Sequence, residues 1–227
     1  MKGYDPVLFD LDGTVVDSVE LIRESFRHAS RVVLGRELPD AEIMRYVGQP
    51  LMGQMEQLSP EYAQRLYDAY REYNHRRHDE LIRGYEGIEA ALTALRAAGR
   101  RLGLVTSKSA DTTEMAFRVV GLREHFEAVV TASDTSVHKP SPVPLLLCLE
   151  RLAAAGSGEP PVAANAIYVG DSPFDIQAGR AAGMATAAVT WGIFSRKELE
   201  AAQPDHVLER PGDLVRLCLE GEVPAGG

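Results

Sequence analysis

Short apolar runs recur along this chain, each closed by a polar residue and separated from the next by a helical pattern. Val7-Leu8-Phe9 is the first. Arg101-Leu102-Gly103-Leu104-Val105, Ala128-Val129-Val130, Ala166-Ile167-Tyr168-Val169, Ala185 to Val189 and a shorter His206-Val207-Leu208 follow. Runs this short and this apolar predict strands buried on both faces, the condition of a parallel sheet. Helical patterns fall near 87–98, 110–120, 142–154, 173–182 and 212–219. The alternation predicts an α/β fold on a doubly wound parallel sheet.

One segment breaks the rhythm. From Asp17 to about Arg83 no strand pattern occurs, and helical patterns fall near 18–34, 40–47 and 59–82. In the last of these, Tyr62, Leu66, Tyr70 and Tyr73 share a face. Gly84 and Gly87 bracket the return to strand–helix alternation. The expected division is an α/β core of residues 1–16 and 84–227 with an all-helical cap at 17–83. With 227 residues, 45% of them hydrophobic, the chain suffices for one large or two small domains. Residues 156–161 read as a surface loop, and the tail from Glu220 to Gly227 as disordered.

Composition narrows the function. The net charge of −9 disfavours a nucleic-acid partner. No apolar run approaches the ~18 residues that suggest a membrane span, and Met1 to Pro6 shows no signal-peptide core. Cys148 and Cys218 sit in apolar helical patterns and read as buried free thiols. The expected protein is cytoplasmic, a monomer or homodimer, without membrane or nucleic-acid partners.

The polar residues closing the runs carry the chemistry. Asp10 and Asp12, separated by Leu11 and followed by Gly13, close the first. Two carboxylates on one side of a strand end are costly unless a cation lies between them. A metal-assisted nucleophile beside a proton donor is one reading; a solvated Asp-Gly turn is the other. Thr106-Ser107-Lys108 closes the second run, where hydroxyls and free amides entering a helix make a phosphate cradle. Ser109 at that point also reads as a helix N-cap. After the third run, Pro140 fixes the backbone behind Lys139, which reads as a positioned charge for an anion or, taken without its context, as a surface lysine. Gly170-Asp171-Ser172-Pro173-Phe174-Asp175 closes the fourth. Asp171 and Asp175 add two carboxylates that call for a hard divalent cation, for which Mg²⁺ is suited. Asp175 alone is also explained by the helix N-terminus it occupies.

In order and spacing these residues resemble the four motifs of the haloacid dehalogenase (HAD) superfamily: Asp10-Leu11-Asp12-Gly13-Thr14, Thr106, Lys139-Pro140, and Gly170-Asp171 to Asp175. The helical insertion resembles that family's C1 cap. The resemblance implies that Asp10 attacks phosphorus and forms an aspartyl-phosphate, and that Asp12 acts as general acid and base. Thr106, Ser107 and Lys139 would bind the phosphoryl group. Asp10, Asp171 and the backbone carbonyl of Asp12 would hold Mg²⁺, with Asp175 in or beside that shell. An aspartate at position 12 sets the chain apart from family dehalogenases and phosphonatases, which lack one there.

For the substrate, Tyr46-Val47-Gly48-Gln49-Pro50-Leu51 resembles the cap loop facing the active site in related phosphatases, with Gly48 permitting close approach and Gln49 beside it. Gly48 also reads as an ordinary helix-ending glycine. The stretch Tyr70 to Leu81, with Asn74, His75 and His78, together with Val105 to Lys108, Thr113 to Met115 and His138 to Pro140, is similar to the PpaX-type inorganic pyrophosphatases. His75 and His78 are expected on one helix face, solvated rather than metal-binding. The implied substrate is pyrophosphate or a small phosphorylated metabolite, with phosphoglycolate the alternative. A non-enzymatic phospho-aspartate switch is the alternative of another class, although receiver domains are shorter and carry no cap.

Overall fold

A computed structural model of the chain describes residues 3–156 and 158–221. The chain begins with strand β1 (Val7–Phe9), then β2 (Val16–Asp17) and helices α1 (Val19–Leu34), α2 (Asp40–Ile43), α3 (Leu51–Leu58) and α4 (Ala63–Leu81). It continues through β3 (Arg83–Gly84), α5 (Ile88–Ala97), β4 (Leu102–Val105), α6 (Ala110–Val120), β5 (Ala128–Val130) and α7 (Val143–Ala155). The remaining elements are β6 (Ile167–Gly170), α8 (Pro173–Ala181), β7 (Ala185–Val189), α9 (Arg196–Ala201), β8 (His206–Leu208) and α10 (Gly212–Glu220).

Six strands form one parallel sheet in the order β5-β4-β1-β6-β7-β8. The expected α/β class holds, and every run read as a strand is one. Burial on both faces follows from the pleat, which sends alternate side chains to opposite sides. Phe9, Leu104, Val169 and Val189 pack with α5, α6 and α10 on one face. Leu8, Val105, Val130 and Tyr168 pack with α7 and α8 on the other. Because β4 and β6 flank β1, the chain reverses direction across the sheet at β1. The crevice outside the strand C-termini therefore opens at β1, where such sheets place ligands.

The helices between β2 and β3 have a core of their own. Ile22, Phe26, Leu38, Ile43, Met55, Leu66 and Tyr70 form a separate buried cluster. Phe26 meets Tyr70 edge to face at 5.1 Å between ring centroids. The long helices α1 and α4 form the main packing. β2 and β3 pair antiparallel, Val16 with Gly84 and Asp17 with Arg83. This two-residue ladder lies at the expected boundary, where no strand was predicted. The sequence reading of the insertion also needs three corrections. α2 stops at Ile43, before the expected 47. Leu51–Leu58 is a helix where the sequence reading has a loop ending at Leu51 and no element directly beyond it. The last helix starts at Ala63 after a 3₁₀ turn over Pro60–Tyr62. In the core, β6 extends to Gly170 and α9 was not anticipated.

Cys148 and Cys218 are buried free thiols, as expected. Among the described residues no helix is long and apolar enough to cross a membrane. The tail reading falls mainly on 222–227, outside the described residues, as do Met1, Lys2 and Ser157.

Leu104 is wholly buried between its neighbours Phe9 on β1 and Val129 on β5. Leu104→Ala is expected to lower the unfolding free energy by about 3 kcal/mol, the middle of the range for a buried leucine. The change in urea-unfolding midpoint measures it.

Candidate active site

β1 delivers Asp10 to the sheet edge, with its backbone N–H still bonded to Val169 O at 2.9 Å. The chain then turns sharply. Val15 and Val16 N–H both reach Leu11 O at 2.9 Å, and Gly13 N–H reaches Val16 O. Gly13 sits at φ +77, and a Cβ there would collide with the Asp171 carboxylate. Only glycine satisfies both conditions. The same turn lets Asp12 stand at the cavity wall while Asp10 stays 6% exposed.

Asp171 follows β6 directly and is pinned by the Ile193 N–H, 2.6 Å from its Oδ2. Asp175 lies in the first turn of α8. It forms a capping box with Ser172, whose N–H and hydroxyl donate to Asp175 Oδ2 at 3.0 and 2.6 Å. Asp10, Asp171 and Asp175 each present an oxygen within 4.8 Å of the others, all buried. Lys139, which follows β5, joins them from below. Its Nζ lies 3.0 Å from Asp10 Oδ1, donates to Asp175 Oδ1 at 2.6 Å and to Tyr168 Oη at 3.1 Å. Tyr168 in turn donates to Val105 O at 2.8 Å. An ammonium has three donors; two are spent on Asp175 and Tyr168, and Asp10 is met by charge.

Burial sets the electrostatics here. It raises the Asp10 carboxyl to about 7, the Lys139 charge working against that rise and Asp175 adding to it. Burial, reinforced by Asp175 and Asp10, also pushes Asp171 well above the usual carboxylate range. On Lys139 burial works the other way, but Asp10 and Asp175 outweigh it and raise the ammonium above its ordinary value. Three buried carboxylates thus face one buried ammonium. An all-oxygen donor set with excess negative charge fits a hard divalent cation, and Asp10 Oδ1 receives no well-aligned hydrogen bond.

Above this cluster lies a cavity of about 250 Å³. Asp10, Asp12, Thr106, Ser107 and Asp171 line it from the core, and Gly48 and Gln49 from the insertion. Lys139 and Asp175 lie beneath and do not line it. The Thr106 hydroxyl accepts from Lys108 N–H at 3.2 Å. The Ser107 hydroxyl donates to Gly48 O at 2.9 Å, joining core to insertion. Gly48 adopts φ +103, and a Cβ would press on Phe174 of α8, so its approach to the core is the one expected of that loop. The Gln49 amide oxygen accepts from Gln57 at 2.8 Å.

Two features escaped the sequence reading. Lys108 Nζ donates to both Asp12 carboxylate oxygens, at 3.0 and 3.1 Å. It was read as part of a phosphate cradle, and nothing local indicates that its chain folds back onto Asp12. His78 is wholly buried, with Nδ1 on Asp79 at 2.8 Å, whereas His75 is part-exposed beside Arg71. The two histidines therefore do not share a solvated face; α4 turns one into the protein and the other toward its edge. Ser109 occupies the N-cap position of α6, but its hydroxyl bonds Asp111 and Thr112 side chains instead of a backbone amide.

This is the fold and site of a hydrolase with its chemistry at strand ends. Residues 7–189 match the family model of the haloacid dehalogenase-like hydrolases, and the chain belongs to that family. The match runs through the helical insertion, which argues against the non-enzymatic switch. The pyrophosphatase PpaX of Bacillus velezensis is 36% identical over 216 residues, covering 95% of this chain and 97% of that protein. The crystal structure of a predicted phosphatase from Clostridium acetobutylicum superposes with a TM-score of 0.82 at 27% identity, covering 96% of this chain and 99% of that one. A predicted phosphoglycolate phosphatase from Haemophilus somnus shares the fold, with a TM-score of 0.81 at 21% identity over 96% of this chain and 99% of that one.

A carboxyl raised on folding keeps a proton that the unfolded chain has released. It therefore destabilises the fold increasingly as pH rises from about 4, the unfolded value, to about 7. In EDTA, the urea midpoint is expected to fall between about pH 5 and pH 7.5, and Asp10→Asn to make that fall shallower. Equal slopes for both proteins would refute the assignment to Asp10.

Proposed function

We propose that the chain is a Mg²⁺-dependent phosphohydrolase that works through a phosphorylated aspartate, with pyrophosphate as its substrate. The observation that carries the reading is the pairing of two carboxylates with two separate lysines at one cavity. Asp10 is buried over Lys139, while Asp12 is held at the wall by Lys108. The two aspartates thus sit in different environments, as separate nucleophile and proton-transfer roles require.

In this mechanism an Asp10 carboxylate oxygen attacks phosphorus. The bond from phosphorus to the leaving oxygen breaks, and Asp12 donates its proton to that oxygen. Asp12 then takes a proton from water as the water oxygen attacks the phosphoryl group, and the bond to Asp10 breaks, restoring the carboxylate. Lys108 keeps Asp12 directed into the cavity through both steps. Thr106 offers its hydroxyl and Ser107 its backbone amide to the phosphoryl oxygens, and Lys139 contributes charge from beneath. Asp10, Asp171 and the backbone carbonyl of Asp12 would hold Mg²⁺, with Asp175, both of whose oxygens are engaged, bracing the cluster from the side. The bound cation supplies the positive charge that lets a carboxylate approach a phosphate dianion.

The small cavity suits a small substrate, and the 36% identity to a pyrophosphatase over nearly the whole chain supports pyrophosphate. Phosphate release from a panel containing pyrophosphate and phosphoglycolate, ranked by kcat/KM, tests the choice; phosphoglycolate ranking far above pyrophosphate would overturn it. Chelation is expected to abolish turnover and Mg²⁺ to restore it. Asp10→Asn should reduce kcat at least about a thousandfold, since a covalent nucleophile has no substitute, with the circular dichroism spectrum unchanged. Retained turnover in that variant would exclude Asp10 as nucleophile.

A further inference from the structure

The cavity has a second wall whose chemistry the mechanism above does not use. Arg71, on α4 of the insertion, lines it opposite the core. Its guanidinium is oriented from three sides: Nη1 donates to Tyr67 Oη at 3.1 Å, Nη2 lies 3.2 Å from His75 Nε2, and Nη2 also donates to the Asp111 carboxylate on α6. A guanidinium carries five N–H donors; these contacts take both of Nη2 and one of Nη1, leaving Nε–H and the second Nη1–H. The side chain remains 29% exposed.

The other cation lining the cavity, Lys108, is already neutralised within it by Asp12. The Asp111 partner of Arg71 is half-exposed and does not line the cavity. Of these two cations lining the cavity, Arg71 is thus the one whose counter-charge lies outside it. The phosphoryl group must sit on the core side, against Asp10. What projects toward the insertion is the leaving group.

We propose that Arg71 is a specificity-determining residue that binds an anionic leaving group, a phosphate or a carboxylate, through its charge and its remaining N–H donors. This rests on the phosphohydrolase reading and extends it. The inference covers the phosphate of pyrophosphate and the carboxylate of phosphoglycolate alike, and excludes selection for uncharged leaving groups. Arg71 also ties the insertion to the core through Asp111, a purely structural role from which binding has to be distinguished.

The test compares kcat/KM for pyrophosphate, phosphoglycolate and para-nitrophenyl phosphate, whose leaving group carries no charge in the substrate, in the Mg²⁺-loaded full chain. Arg71→Ala should lower the ratio of the preferred anionic substrate to para-nitrophenyl phosphate by about tenfold or more, the scale of one hydrogen bond to a charged group. The effect should fall mainly on KM. Whichever of the two anionic substrates loses more identifies the group that Arg71 reads. Arg71→Lys, which keeps the charge without the positioned guanidinium donors, should fall between. Asp111→Asn, which removes the charge from the tie but keeps Arg71, should preserve the ratio. An unchanged ratio in a folded Arg71→Ala, or an equal loss of ratio in Asp111→Asn, overturns the inference and leaves the phosphohydrolase reading standing. A wild-type protein that hydrolyses none of the three substrates removes both.

Discussion

Asp10, Asp171 and Asp175 lose water on burial with, among the described residues, Lys139 alone beneath them to offset their charge, and much of the surrounding structure serves to hold that arrangement. Each carboxylate has its own restraint: the Ile193 amide for Asp171, the Ser172 capping box for Asp175, and the end of β1 for Asp10. Lys139 is fixed in turn by Tyr168, which is anchored to the Val105 carbonyl on β4, across β1. Unrestrained carboxylates would rotate apart or protonate. The raised Asp10 and Asp171 values express the stability given up to keep them together.

The cluster depends on the sheet order. β1, β5 and β6 each contribute a strand end or the segment after it, and only the parallel arrangement puts all of those ends on one edge. The reversal at β1 opens the crevice there. The insertion, rooted on a two-residue ladder, then covers that crevice. Polar contacts that cross between insertion and core include Ser107 to Gly48 and Arg71 to Asp111. The core handles the phosphoryl group, and the insertion faces what is attached to it.

Most of the α/β core was legible because its strands are buried on both faces and so read as unbroken apolar runs. The insertion was harder. Leu51–Leu58 has Pro50 before it, Gly53 within it and glutamines through it, which hide a helix whose buried side shows only Gln54 and Met55. The β2–β3 ladder is two residues long, below any periodic signal. On α4 the aromatic spacing located the buried face, but the burial of Asn74 and His78 on it is polar and leaves no hydrophobic trace.

The sequence alone determined the strand order along the chain, the place of the insertion, and the set of residues at the strand ends, because these follow from local periodicity and short motifs. It did not determine which charge meets which. That Lys139 lies beneath Asp10 and Asp175 while Lys108 reaches Asp12, that His78 turns inward, and that Arg71 faces the cavity across from the core were decided by the tertiary structure. Ion pairing and burial depend on the positions of side chains 36 or 96 residues apart, and only packing of the sheet and the insertion brings them within reach.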